Sequence, residues 1–274
     1  MNIQENRAAI DKIDAQIVKL LNRRTKHVLN IGQAKLASGK AIFQPDREQA
    51  LLRRICKLSD GVLPDESLRH IYREVMSSSI ALQKGFKIAF LGPEATYTHQ
   101  AAVRRFGTSL AYVPQKTISE VFSEVEKDRA EYGVVPVENT TEGVVTHTLD
   151  MFVDSELKIV AQIVMSIEHC LVGKGSLKQA KKLYSHPQAY AQCRNWVRET
   201  LPSVEFIETS STTAAAALAA RTKTAVAISS ALAAEKYKLN ILDAAIQDHS
   251  GNATRFLVLG RICGSPTGHD RTSL

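Results

Sequence analysis

The chain has little cysteine, few aromatic residues and no long apolar run. Its 274 residues include four cysteines, one tryptophan and 6% aromatic residues. The cysteines form neither a CxxC pair nor a close pairing with histidine, which argues against a clustered zinc site and a dense disulfide framework. No apolar stretch approaches the roughly 20 residues that cross a bilayer, and the N-terminus has no signal-peptide pattern. These absences predict a cytoplasmic protein without a metal centre.

Motifs that bind nucleotide phosphates are also missing. The sequence contains no GxxxxGK[ST] and no GxGxxG, so nucleotide cofactors are disfavoured. The net charge of +7 is concentrated in residues 1–85, which carry 15 lysines and arginines against nine acidic residues. Because these cations alternate with acidic residues and form no basic block, a nucleic-acid partner is disfavoured as well. The positive field instead favours small anionic ligands.

Two hydrophobic patterns divide the chain into two domains. Apolar residues at three- and four-residue spacing predict an amphipathic helix over about 6–37. Prolines at helix-start positions predict two more helices, over about 45–58 and 64–83. After residue 85, short apolar runs alternate with helical patterns, which is typical of an α/β domain with a largely parallel sheet. Strands are predicted at 87–91, 132–136, 159–164, 169–172, 182–185, 204–207, 225–228 and 255–259.

The first helix is longer than a small helical domain can cover. At ~1.5 Å per residue it exceeds about 40 Å, so we expect it to pack along a second copy of the chain. Arg24 and Lys35 are eleven residues apart, which at about 100° per residue places them on one face, where they can bind one ligand together. Arg7 lies about 25 Å before Arg24 along the helix, so within one chain it cannot serve the same site. It could serve the partner's site in a dimer.

Charged and polar residues recur through these three helical segments. They are Arg7 with Ile10-Asp11, Leu20-Leu21-Asn22-Arg23-Arg24, Gly32-Gln33-Ala34-Lys35, Pro45-Asp46-Arg47-Glu48, and Ser79 with Gln83. Over residues 5–84 this pattern resembles the all-helical chorismate mutases, whose pericyclic reaction requires no cofactor. The resemblance implies an all-α fold of three helices that forms an intertwined homodimer.

The resemblance implies that cations bind chorismate and stabilise its transition state. Arg24 and the partner's Arg7 would each bind a carboxylate. Lys35 and Gln83 would face the ether oxygen, which gains negative charge as its bond breaks.

Other positions of the same pattern would complete the mutase site. Ser79 would contact a carboxylate, Glu48 would accept from the ring hydroxyl, and Arg47 would order the site. A family carboxylate position is Gln44 here, which implies a weaker hydroxyl contact. The alternative is an inactive dimerisation bundle, and the paired cations on one face of the first helix argue against it.

Polar motifs follow several strands of the α/β region. They are Gly92-Pro93-Glu94-Ala95-Thr96-Tyr97, Glu138-Asn139-Thr140, Ser185-His186-Pro187-Gln188, Ser211-Thr212-Thr213-Ala214-Ala215 and Thr254-Arg255-Phe256. Each alone is ordinary loop or capping chemistry, but their order over 87–260 resembles prephenate dehydratase. The resemblance implies a two-lobed α/β fold like that of periplasmic binding proteins. Lobe one would be about 86–163 with 250–264, and lobe two about 164–249.

The second resemblance implies loss of a ring hydroxyl together with carbon dioxide. Thr254 would donate to the departing hydroxyl of prephenate, and Glu138 would be the catalytic carboxylate. Arg255 would bind a carboxylate or brace the cleft. A direct role of His186 stays open, and no metal is needed. The neutral donors to substrate would be Thr96, Asn139, Ser185, Gln188, Gln192 and Ser211.

Together the resemblances predict a bifunctional enzyme of phenylalanine biosynthesis. Its mutase domain would be 1–85 and its dehydratase domain 86–264, followed by a tail at 265–274. For the second domain, a preference for arogenate and a non-catalytic anion-binding module remain alternatives. The sequence stops where the family's phenylalanine-binding regulatory domain would begin, so we expect no phenylalanine inhibition through such a domain. The expected partners are chorismate, prephenate and one or more copies of the chain, with no nucleic acid and no membrane.

Overall fold

The computed structural model describes residues 2–37, 45–82, 86–249 and 251–262. These residues divide into two units. The first contains the described residues up to Phe86, together with Phe106–Ala111 and Ile262. The second contains Lys87–Arg105 and Tyr112–Arg261. Within the described ranges, no helix is both long enough and apolar enough to cross a membrane.

The first unit is built on three helices, as predicted. They are α1 (Ile3–Ala37), α2 (Pro45–Leu58) and α3 (Asp65–Ala81). α3 contacts both α1 and α2. Proline stands at the first position of α2, where its fixed φ suits the first helical turn and its missing N–H costs no hydrogen bond.

Apolar side chains along α1 remain exposed within one chain. Ile10, Ile13, Ile17 and Leu20 are 55%, 53%, 46% and 62% exposed. They recur at the three- to four-residue spacing of one helix face, which is typical of a helix that buries that face against another element. Such a contiguous apolar surface commonly marks a protein–protein interface.

The α/β region contains two sheets. The first has the order β2-β1-β3-β11-β5, with β4 beside β3, and its strands are β1 (Lys87–Leu91), β2 (Ala111–Gln115), β3 (Tyr132–Asn139), β4 (Gly143–Val144), β5 (Lys158–Ser166) and β11 (Ala253–Gly260). The second has the order β10-β6-β9-β7-β8, and its strands are β6 (Cys170–Gly173), β7 (Lys182–Ser185), β8 (Glu205–Glu208), β9 (Ala225–Ser229) and β10 (Asn240–Asp243).

Helices connect many of these strands. They are α4 (Tyr97–Phe106), α5 (Ile118–Glu126), α6 (Thr146–Asp154), α7 (Pro187–Gln192), α8 (Arg194–Thr200), α9 (Thr212–Ala219) and α10 (Ala231–Tyr237), with a 3₁₀ turn at Leu177–Gln179. Thr117, Ser211 and Ser230 each accept a hydrogen bond from the backbone N–H three residues later. These hydroxyls satisfy donors that the first helical turn leaves unpaired, which explains where α5, α9 and α10 begin.

The expectation of a largely parallel sheet is wrong. β1 and β3 are parallel, but β11 is antiparallel to both β3 and β5, and β6 is antiparallel to β9 and β10. The strand before β11 in the chain, β10, lies in the second sheet. β11 is therefore not joined to a strand of its own sheet by the helical crossover that makes two strands parallel.

The sequence analysis missed β2, β4 and β10. β2 includes Pro114, which cannot donate a ladder hydrogen bond. The structure places β2 at the edge of its sheet, where proline is tolerated.

Polar residues meet at one end of the first sheet. The core that α5 forms against it is apolar, with Val121 and Phe122 of α5 and Val135 of β3 fully buried. At the end of β3 and the start of β11, however, Asn139 and Thr254 are directly opposite each other in the strand pairing. The returning β11 therefore places a threonine and an amide side by side although they lie 115 positions apart in the sequence.

Candidate active sites

The three helices of the first unit surround a cavity of about 580 Å³. Five residues that the sequence analysis assigned to the mutase site line it: Arg24, Lys35, Arg47, Glu48 and Ser79. Arg54 and Arg73 line it as well, and the sequence analysis missed both. This cavity is rich in cations and suits a small ligand with more than one negative group.

Each helix contributes its polar residues through a simple local feature. α1 runs unbroken from Ile3 to Ala37, so Arg24 and Lys35 face the cavity together at their eleven-residue spacing. Arg47 and Glu48 lie in the first turn of α2, and Ser79 lies in the last turn of α3.

Arg24 is held by a short hydrogen-bonded chain. Its Nη1 donates to Oγ of Ser79 at 3.1 Å, and the Ser79 hydroxyl donates to the carbonyl oxygen of Val75 at 2.7 Å. Burial lowers the pKa of the Arg24 guanidinium, because desolvation disfavours its charged form. The group nonetheless stays charged at neutral pH. In these partly dry surroundings its attraction for an anion is stronger than in water.

One predicted mutase residue, Arg7, does not line this cavity. Arg7 lies in the exposed N-terminal part of α1. Gln83 lies outside the described residues, as does Gln44.

A second polar cluster is centred on Asn139 at the end of β3. The Asn139 Nδ2 donates to Oγ1 of Thr254 at 2.8 Å and to Oδ1 of Asn252 at 2.9 Å. Its Oδ1 accepts from the backbone N–H groups of Thr141 and Glu142. Because Asn139 supplies the hydrogen in its bond to Thr254, the threonine keeps its own hydroxyl hydrogen for another acceptor.

Hydrogen bonds extend this cluster toward the second sheet. Asn252 Nδ2 donates to Oε1 of Gln192 at 2.9 Å, and the same oxygen lies 2.8 Å from Nε2 of His169. His169 Nδ1 lies 2.9 Å from the hydroxyl of Tyr97. Burial lowers the pKa of His169 and raises that of Tyr97 well above its ordinary value.

The sequence analysis missed two members of this cluster, Asn252 and His169, and gave Tyr97 no role. Tyr97 lies within the Gly-Pro-Glu-Ala-Thr-Tyr motif, but Asn252 and His169 belong to no motif. The available signal was weak, since each is a single polar residue just before a strand.

Glu138 and Arg255 form an ion pair of their own. Arg255 Nη1 lies 3.3 Å from Oε2 of Glu138, and both side chains are close to half exposed. The two residues are opposite each other in the pairing of β3 with β11. Successive side chains of a strand point to opposite faces of the sheet, so this pair lies on the face away from Asn139 and Thr254. The structure thus does not bring Glu138 to Thr254.

Of four further predicted residues, three have local partners and the fourth is exposed. Ser185 Oγ donates to the carbonyl oxygen of His186, Ser211 caps α9, and Thr96 Oγ1 donates to the carbonyl oxygen of Leu91. Gln188 is exposed on α7. Among the described residues, no hydrogen bond joins these four side chains to Thr254 or Asn139, so their roles stay predictions.

Two family models match the chain in succession. A chorismate mutase type II model matches residues 6–84. A prephenate dehydratase model matches residues 88–263, which include the Asn139 cluster.

Several known proteins are similar to this chain. The bifunctional chorismate mutase/prephenate dehydratase of Aquifex aeolicus is 48% identical over 277 residues, covering 99% of this chain and 76% of that protein. The Neisseria gonorrhoeae protein of the same name is 44% identical over 273 residues, covering 98% of this chain and 75% of that protein. A solved prephenate dehydratase from Arthrobacter aurescens, in complex with L-Phe, is 32% identical with a TM-score of 0.61, covering 68% of this chain and 63% of that one.

Proposed function

The chain belongs to the bifunctional chorismate mutase/prephenate dehydratase family, and from that premise we propose which of its residues carry out each reaction. The enzyme rearranges chorismate to prephenate and then converts prephenate to phenylpyruvate, in the biosynthesis of phenylalanine. We assign the mutase to residues 1–85 and the dehydratase to 86–264. We assign two lobes, about 86–163 with 250–264 and about 164–249; the two sheets support this division, except that β5 continues the sheet of the first lobe to Ser166.

The mutase step takes place in the cavity of the helical domain. Chorismate carries two carboxylates, and its ether oxygen gains negative charge as the bond breaks. Arg24 binds one carboxylate, and Lys35 stabilises the charge on the oxygen. A fixed cation that matches charge developing in the transition state lowers the barrier more than one that binds the ground state equally well. The cluster of cations in this cavity is the observation that supports the assignment.

Ser79 acts through Arg24. Its hydroxyl hydrogen is used by the carbonyl oxygen of Val75, and its oxygen accepts from Arg24. We therefore assign Ser79 to the orientation of the guanidinium and not to donation toward the substrate. Glu48 is only 8% exposed and is assigned to the ring hydroxyl, with Arg47 ordering the site. The role of Gln83 at the ether oxygen stays a prediction.

The mutase site is completed by a second protomer. Arg7 is about 17 residues, or about 25 Å, from Arg24 on the same unbroken helix, so it can reach only another chain's cavity. The exposed apolar face of α1 gives that chain a surface to pack on. We therefore propose a homodimer in which the partner's Arg7 binds the second carboxylate.

The dehydratase step centres on Thr254. In this reaction the bond from the ring to the carboxylate breaks, carbon dioxide leaves, and the bonding pair enters the ring as the C–O bond on the opposite side breaks. The departing oxygen takes up a proton and leaves as water. Because Asn139 donates to Oγ1 of Thr254, the threonine hydrogen can be directed at the departing oxygen. The Asn139–Thr254 hydrogen bond is the observation that carries this assignment.

Arg255 and Glu138 play a different part from Thr254. Their ion pair spans β3 and β11 on the other face of the sheet. Of the two roles predicted for Arg255, this placement supports bracing of the cleft, because the ion pair joins the two strand ends that carry Asn139 and Thr254. A catalytic role of Glu138 remains a prediction, as does the substrate binding predicted for Thr96, Ser185, Gln188 and Ser211 and the cytoplasmic location.

The test supplies chorismate and prephenate separately to the purified protein and measures chorismate loss and phenylpyruvate formation. Both substrates should yield phenylpyruvate. Thr254→Val keeps the shape of the side chain but removes the hydroxyl, so phenylpyruvate formation should fall by about 10²–10³-fold while chorismate loss continues. Full dehydratase activity in this variant would exclude Thr254 as the donor.

The same assay separates the alternatives for the second domain. If prephenate accumulates but arogenate yields phenylalanine, the domain is an arogenate dehydratase. If it binds prephenate but turns over neither compound, it is a binding module.

A further inference from the structure

His169 occupies a buried position between the two sheets of the dehydratase domain. It is 3% exposed and precedes β6 of the second sheet. Its backbone N–H donates to Oε1 of Gln247 at 3.0 Å. Its ring lies between Gln192 and Tyr97, with Nε2 2.8 Å from Oε1 of the former and Nδ1 2.9 Å from the hydroxyl of the latter. Both ring nitrogens are therefore engaged.

The orientation of every amide in this cluster follows from two backbone groups. Thr141 and Glu142 donate their backbone N–H to Asn139, so the atom that they contact must be its oxygen. The other end of that amide is then the NH₂ group, which faces Asn252 with its Oδ1 as acceptor. Asn252 in turn presents its own NH₂ to Gln192, which must accept through Oε1.

These amide orientations determine which ring nitrogen of His169 carries a hydrogen. Gln192 Oε1 is an acceptor, so the ring nitrogen 2.8 Å away must be a donor, and Nε2 carries a hydrogen. In a neutral ring Nδ1 is then an acceptor, as is the carbonyl oxygen of Glu168, so the single hydroxyl hydrogen of Tyr97 is shared between these two acceptors. The Tyr97 hydroxyl also lies 2.8 Å from the carbonyl oxygen of Glu168, which anchors the phenol beside the ring.

Gln192 is held in one orientation as a result. Its Oε1 accepts two hydrogen bonds, one from His169 and one from Asn252. Among the described residues, its NH₂ group makes no hydrogen bond. Two donors on the oxygen thus leave both amide hydrogens to be presented to a ligand.

We propose that His169 is a positioning residue of the dehydratase, which orients Gln192 so that its NH₂ group donates to the anionic substrate. This inference rests on the proposed dehydratase function of the domain. His169 does not touch the substrate and acts through Gln192. Without the Nε2 hydrogen, Gln192 Oε1 loses one of the two donors that hold the amide in its orientation. The amide can then rotate and present its oxygen to a carboxylate of the substrate.

Two substitutions of His169 form a matched test. In His169→Gln the side-chain NH₂ extends to about the place of Nε2, so it can still donate to Gln192. In His169→Asn the NH₂ group reaches only about as far as Nδ1. The KM for prephenate should rise about 10- to 100-fold in His169→Asn, as expected for a misplaced binding group, and His169→Gln should restore it. Chorismate mutase activity of the same samples serves as the reference for folded protein.

The outcomes are distinct. A merely structural role would lower kcat in proportion to the folded fraction and leave KM unchanged, which would overturn the proposal. Equal KM values in the two variants would also overturn it. If the unmodified protein forms no phenylpyruvate, the dehydratase function itself fails.

A second measurement does not depend on how the His169→Asn variant folds. Long-range ¹⁵N–¹H NMR spectra of the unmodified protein report which ring nitrogens of each histidine carry a proton. The His169 signals are identified by their absence from the spectrum of His169→Gln. A protonated Nε2 supports the proposal, and an unprotonated Nε2 overturns it.

Discussion

Exchange of Asn139 for aspartate would reverse the hydrogen bond that prepares Thr254. The oxygen that accepts from Thr141 and Glu142 is kept, so the turn after β3 retains its anchor. The NH₂ group becomes a carboxylate oxygen about where a donor now lies 2.8 Å from Thr254 Oγ1. The Thr254 hydrogen then turns to that oxygen and is no longer directed at the substrate.

The magnitude of the effect follows from the contacts that are lost. Asn139 makes two side-chain hydrogen bonds through its nitrogen, to Thr254 and Asn252. The hydrogen bond to Thr254 is kept with its direction reversed, so only the one to Asn252 is lost, which lowers the free energy of unfolding by about 1 kcal/mol. Loss of the Thr254 donor should lower kcat for prephenate by about 10²–10³-fold, the usual cost of removing one such donor.

The assay measures phenylpyruvate formation from prephenate, with chorismate loss in the same sample as the reference for folded enzyme. In acid the new carboxylate is protonated, and its protonated form can again donate to Thr254. The dehydratase rate should therefore recover in part as the pH falls. A kcat within about tenfold of the unmodified enzyme at neutral pH would refute the role of Asn139, since a lost donor costs more than that.

Two further predictions concern the mutase and the loop after β1. Lys35→Ala should lower mutase kcat about 10²–10³-fold and leave phenylpyruvate formation from prephenate intact. If each mutase site takes Arg7 from the partner, mixing the Lys35→Ala variant with the inactive Arg7→Ala variant should restore about a quarter of the mutase activity through heterodimers. No recovery of activity would refute a site shared between protomers. Lys236 Nζ lies 2.5 Å from Glu94 Oε2 and lowers the pKa of that carboxyl. The ion pair therefore stabilises the fold at pH values above the ordinary glutamate pKa of 4.5. This stabilisation is lost as the pH falls through the lowered pKa of the folded state. Lys236→Met should therefore cost under about 1 kcal/mol at neutral pH, as measured by urea unfolding, and less in acid; an equal cost at both pH values would contradict the electrostatic explanation.

Much of the mutase site could be predicted because one helix carries it. The regular geometry of α1 placed Arg24 and Lys35 on one face from their spacing alone, and both line the cavity. The positions of Arg54 and Arg73 depend on how α2 and α3 rotate against α1. Side-chain packing sets that rotation, and the spacing along a single helix does not report it.

The dehydratase cluster was less accessible from the sequence. Asn139 and Thr254 could be named from the order of the motifs, but their opposition depends on the antiparallel return of β11. His169 contacts Tyr97 and Gln192, which are 72 and 23 positions away. A single buried histidine without periodicity gives no local signal of such contacts. Likewise, the strand register was needed to show that Glu138 and Thr254 lie on opposite faces of the sheet.

The late return of β11 makes completion of the first sheet a long-range event in folding. The strand lies between β3 and β5, yet the chain builds the whole second sheet before it reaches Ala253. Closing so large a loop costs entropy before any strand contact repays it, so this step should be slow compared with formation of the local helices. During synthesis, a ribosome-bound chain that has exposed β1 to β10 lacks the strand that separates β3 from β5. It gains this strand and Thr254 in one event.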